Sequence, residues 1–74
     1  MEIRHYTVIL EREDDGGYHA FCPVLKGLHT QGDTLEEVLA NAREAIEAYI
    51  GSLRKHGEMP PNEDILIKPV EVSV

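Results

Sequence analysis

The run from Tyr18 to Glu47, YHAFCPVLKGLHTQGDTLEEVLANAREAIE, constrains the fold of this chain more than any other part of it. It begins with the alternation of a strand, passes a Pro and Gly corner, and ends on a helix start. A switch from a period of two to a period of 3.6 within so short a span commits the chain to a small sheet with one helix laid across it.

The helix start is Asp33-Thr34-Leu35-Glu36-Glu37. Thr34 at the N-cap and Glu37 three residues on form a capping box. The Thr34 hydroxyl is expected to accept from the Glu37 amide, and the Glu37 carboxylate to return to the Thr34 amide. Glu36 and Glu37 also sit at the positive end of the helix dipole. The apolar stripe Leu35, Val38, Leu39, Ala42, Ala45, Ile46, Tyr49, Ile50 and Leu53 falls on one helical face. Glu36, Asn41, Arg43, Glu44, Glu47 and Arg54 fall on the other. Gly57 suits the position past the helix end, and Pro60 and Pro61 prevent continuation. Gly51, on the polar side, reads as a tolerated defect costing about 1 kcal/mol against alanine.

Upstream, residues 3–12 alternate as a strand, with Tyr6, Val8, Leu10 and Arg12 on one face and His5, Thr7, Ile9 and Glu11 on the other. Glu13-Asp14-Asp15-Gly16-Gly17 is turn chemistry, so Tyr18–Cys22 returns as the second arm of a hairpin. Pro23 ends that arm by removing a ladder donor, and residues 28–32 supply a short third strand. Downstream, Val70, Val72 and Val74 alternate with Glu71 and Ser73, which predicts a last strand over 70–74 after Pro69. The expected architecture is α+β, in the order β-β-β-α-β: an antiparallel meander with one amphipathic helix packed on it. The second sheet face carries Ile9, His19 and Phe21, an apolar patch suited to a dimer or partner interface.

The chain has 74 residues, read as a single domain over 1–74. A chain of this size buries only ~60% of its unfolded surface. Cys22 is the single cysteine, so an intrachain disulfide is excluded, and self-association as a dimer or tetramer is the expected support. The stretch Met1–His5 lacks the apolar region of an export signal and no run is long enough to span a membrane, so a cytoplasmic, membrane-free protein is expected. Fourteen acids against seven bases give a formal net charge of −7. Such a field repels phosphate backbones, so direct nucleic-acid binding is not expected, and a basic protein is the natural partner.

The residues that could carry chemistry do not assemble into a reactive set. His5, His19, Cys22 and His29 could meet on neighbouring strands, but none of the short spacings of zinc sites is present. Cys22 directly precedes Pro23 at a strand end and reads as a small buried thiol rather than a nucleophile. The acids fall in the hairpin turn (Glu13, Asp14, Asp15) and the first helical turn (Asp33, Glu36, Glu37), where turn and capping chemistry account for them. No glycine pattern fits a phosphate-cradling loop. No metal, cofactor or catalytic residue is expected, and the chain reads as a binding module rather than an enzyme.

The pattern Tyr18-x-Ala20-x-Cys22-Pro23, Gly27, Thr30-x-Gly32-Asp33-Thr34-x-x-Glu37, Asn41-Ala42-x-x-Ala45, Gly57 and Pro60 resembles the HicB antitoxin family, of the stand-alone, UPF0150 type. The resemblance covers roughly residues 3–66. It implies a truncated ribonuclease-H-like domain lacking that enzyme's complete active site, and a function: neutralising HicA, a small basic mRNA-cleaving toxin. Many members of the family carry a C-terminal DNA-binding domain; none is expected in the 1–74 sequence, which is read as the HicB-like domain alone. Lys26 stands where the family often has proline, and Leu28 where it often has cysteine. The expected partner-contacting surface is therefore the acidic turn Glu13, Asp14 and Asp15 together with the corner holding Lys26 and Leu28. The residues Tyr18, Pro23, Gly27, Gly32, Asp33, Thr34, Glu37, Asn41 and Ala42 are expected to serve the fold.

Overall fold

The computed structural model describes residues 3–74; Met1 and Glu2, part of the stretch read for an export signal, lie outside it. Three antiparallel strands, β1 (Ile9–Arg12), β2 (Tyr18–Phe21) and β3 (His29–Gly32), form a sheet in sequential order, followed by α1 (Leu35–Lys55). This is the expected α+β meander and helix, with one element fewer than its sequence suggests.

The hairpin turn forms for local reasons. The Gly16 amide donates to the Glu13 carbonyl at 3.0 Å and the Glu13 amide to the Gly17 carbonyl at 2.7 Å. Gly16 takes the left-handed conformation (φ 95°) that lets a longer hairpin loop close with the right twist. The corner after β2 is a pair of tight turns: the Leu25 amide donates to the Cys22 carbonyl and the Leu28 amide to the Leu25 carbonyl, each at 3.1 Å.

Cross-strand pairing sets the faces. Leu10 pairs with Ala20 and Ala20 with Thr30, and this row looks toward the helix side. Ile9, Phe21 and His29 pair on the opposite face. There the rings of His19, Phe21 and His29 stack, with centroids 5.1 to 6.1 Å apart. The anticipated Ile9–Phe21 patch is thus half-buried rather than open, with the Phe21 ring stacked against two histidines.

Helix α1 packs on β2 and β3 rather than over β1. Val38 and Ala42 are its buried residues. Cys22, Leu25 and Leu28 form the centre of the core, with Tyr6, Val24, Ala45, Ile46, Tyr49 and Ile50 packed around them. Both helix ends are capped. The Thr34 hydroxyl accepts from the Glu37 amide at 3.1 Å, as expected, but the Glu37 carboxylate accepts from the amide of Asp33, one residue earlier than a capping box predicts. At the other end Gly57 (φ 74°) donates to the Arg54 carbonyl and Glu58 to that of Leu53, the Schellman arrangement.

Two strand expectations are corrected. Residues 3–8 do not join the ladder, which begins at Ile9. Their neighbours are residues 60–63, and Pro60 and Pro61 have no N–H to donate. Side chains make the link instead: Arg4 Nη1 donates to the Pro60 carbonyl at 3.2 Å, Tyr6 Oη to that of Pro61 at 2.7 Å, and Thr7 Oγ1 to the Glu63 carboxylate at 2.7 Å. The Thr7 amide, which a paired strand would offer to a carbonyl, also donates to the Glu63 carboxylate. The second correction concerns residues 70–74. The alternating valines are present, but the segment forms no strand and its side chains are exposed. A strand needs a partner for its backbone groups, and among the described residues nothing pairs with residues 64–74.

Candidate functional site

The register of β2 on β3 builds the site. Tyr18 pairs with Gly32, so the hairpin turn that precedes Tyr18 lies beside the helix start that follows Gly32. A cleft of about 450 Å³ opens between them. Glu13, Asp15, Asp33 and Glu37 line it, with Gly17, Thr30, Gln31, Gly32 and Asn41 completing its walls. The acids of the turn and those of the helix start, separate in sequence, therefore share one concave surface.

Each acid is held by local structure. Asp15 Oδ1 accepts from the Gly17 amide at 3.0 Å, which fixes the turn. Glu37 Oε1 accepts from the Asp33 amide at 3.3 Å. Asn41 Nδ2 donates to the Gln31 carbonyl at 2.8 Å and ties α1 to β3 at the cleft floor. All four carboxylate residues are exposed, so their remaining acceptor positions face solvent. Carboxylates so displayed suit the charge-assisted hydrogen bonds of arginine and lysine side chains. Among the described residues no group of three or more His, Cys, Asp or Glu side chains could hold a metal ion.

The other expected site residues are distributed as follows. Asp14 is exposed in the turn but does not line the cleft. Lys26 is exposed on the corner. Leu28 is only 7% exposed and belongs to the core, so its side chain is removed from the expected contact surface. It follows a glycine at φ 80°, and the turn there rotates it inward. Of the four residues weighed for a metal, two meet: His19 Nε2 lies 3.0 Å from His29 Nδ1, with Glu11 Oε1 3.2 Å from His19 Nδ1. Cys22 is buried in the core, where desolvation raises its thiol pKa above the usual value. His5 lies by the helix groove, away from both.

Four of the residues expected to serve the fold make contacts within it. Gly32 lies against the backbone of Val38, Thr34 caps, Asn41 clamps and Ala42 is buried. Gln31 and Gly17 had no signal of their own; only the register brings them to the cleft. Among the described residues no helix is long and apolar enough to cross a membrane.

The fold and the cleft define a small α+β domain with an acidic concave surface. The family model for the HicB-like antitoxin of bacterial toxin–antitoxin systems matches residues 6–71. The chain belongs to that family. It is 56% identical over 73 residues to a UPF0150 protein of Synechocystis sp., covering 99% of this chain and 92% of that one. A UPF0150 protein of Thermoplasma acidophilum is 49% identical over 59 residues (80% and 86% of the two chains). One of Helicobacter pylori is 40% identical over 68 residues (90% and 93%). No solved structure matches the chain significantly.

Proposed function

We propose that this chain is the antitoxin of a type II toxin–antitoxin pair, which binds and masks a small, basic, HicA-type mRNA interferase. The reading rests on family membership and is carried by one observation: Glu13, Asp15, Asp33 and Glu37 line a single cleft in a chain of net charge −7. A basic nuclease presents cationic side chains to hold RNA. The cleft competes for those side chains with carboxylates in place of phosphates, and the net charge steers the encounter. The role is one of binding, with no catalytic step assigned to this chain. The antitoxin acts where the toxin meets messenger RNA, in the cytoplasm.

The test is binding of a purified HicA-type toxin to the wild-type chain and to Glu13→Lys/Asp15→Lys, by surface plasmon resonance across a salt series. Expected are an association rate that falls with salt and a variant at least tenfold weaker, since each lost close charge pair is worth about 1.5 kcal/mol or more. Equal affinity of the two chains would remove the cleft from the toxin interface.

A further inference from the structure

The helix leaves part of the sheet uncovered. Because α1 rests on β2 and β3, a second groove, of about 820 Å³, runs between residues 3–8 and the helix. Ile3, Tyr6 and Val8 line one side, and Leu39, Ile46 and Ile50 the other. It shares no residue with the acidic cleft. The same chain carries an apolar segment with nothing to bury it: Leu66 is 83% exposed, Val70 79% and Val72 71%. None of residues 65–74 lines the groove of its own chain.

We propose that residues 65–74 of a second copy occupy this groove, and that the exchange is reciprocal, so that each copy completes the other. Shape and polarity agree. An extended stretch of ten residues reaches about 30 Å, and the helix side of the groove from Leu39 to Arg54 is about 22 Å long. The alternation of Val70, Val72 and Val74 with Glu71 and Ser73 presents one apolar edge to the groove and one polar edge to solvent.

The occupant is another copy rather than the same chain because residues 65–74 stand exposed and none of them lies in the groove beside which residues 60–63 are fastened to Arg4, Tyr6 and Thr7. From that anchor the segment continues outside the packed body of a chain 47 Å in its longest dimension and 29 and 21 Å in the others. Two copies exchanging the segment form a closed two-fold pair, with identical contacts made twice and no free groove left.

Light scattering of the purified full chain gives the mass in solution. The wild type is expected to be an even-numbered assembly, and the mass to fall at least by half both in Val70→Asp/Val72→Asp and in Leu39→Glu, with the helical circular-dichroism signal retained. A synthetic peptide of residues 62–74 provides a readout independent of whether those variants fold: in excess it dissociates the wild-type assembly, and the same peptide with both valines replaced by Asp does not. A wild-type chain that runs as a monomer at micromolar concentration overturns the proposal. So does an assembly indifferent to the peptide, or one that a folded variant of either surface leaves intact.

Discussion

A Cβ placed on Gly32 would lie 2.6 Å from the amide nitrogen of Val38. The end of β3 and the first turn of α1 touch backbone to backbone, and only glycine permits it. The obstructing atoms belong to the main chain of a helix and cannot rotate away. Gly32→Ala therefore pushes the helix off the sheet at the point where the acidic cleft is built. A loss of about 1–3 kcal/mol, the usual range for overpacking, is expected in urea unfolding.

Gly51 makes the opposite case. A Cβ there meets nothing within 4 Å, and the residue is interior to α1. Gly51→Ala is expected to raise the stability of the chain by about 1 kcal/mol, the difference in helix propensity, seen as a higher urea midpoint with an unchanged slope. Gly51 also lines the helix groove, so a loss on this substitution would mean that the occupant of the groove packs directly against position 51.

The helix start depends on a single hydroxyl. Thr34 accepts from the Glu37 amide, satisfying one of the donors a helix leaves unpaired. Thr34→Ala should cost about 0.5–2 kcal/mol and Thr34→Ser much less, since serine keeps the acceptor. Thermal melts of the three chains decide it: equal destabilisation by Ala and Ser would show that the methyl group, not the hydroxyl, matters.

The half-buried core position Ile46 tests how the helix packs. It is grouped with the Cys22–Leu25–Leu28 core and also reaches the groove. Ile46→Asp introduces a carboxylate with no partner among apolar neighbours, and unfolding of the chain at neutral pH is the expected outcome. Circular dichroism showing a native helix and melting would mean that α1 lies on the sheet by a different face.

The Cys22 thiol supplies a pH dependence. Burial raises its pKa above the ordinary 9.0 in the folded chain, with Glu63 adding to the shift and backbone hydrogen bonds at Leu25 and Val24 opposing it. Above that ordinary value the unfolded chain gives up its thiol proton first, so it binds fewer protons than the folded one. Stability that is fully present below pH 9 then declines as the pH rises through the folded value. In Cys22→Ala this contribution disappears. The urea midpoint of the wild type should fall more steeply between neutral and alkaline pH than that of the variant, and parallel curves would place the thiol in contact with water.

What the sequence by itself determined is the part of the fold that is written within a few residues. The Asp15-Gly16 turn, the Thr34 cap, the apolar stripe of α1 and the Gly57 stop each require only their own neighbours, and each forms where the pattern puts it. Family membership was legible for the same reason, because the Gly32–Ala45 motif is a continuous run of such local devices. The tertiary structure decided everything that depends on which distant groups meet. Glu13 and Asp15 join Asp33 and Glu37 because Tyr18 pairs with Gly32, a register that no local signal carries. Leu28 turns into the core because of the corner before it, not because of its own chemistry. The valines of 70–74 have the alternation of a strand yet pair with nothing, since β propensity describes a surface that a partner must supply.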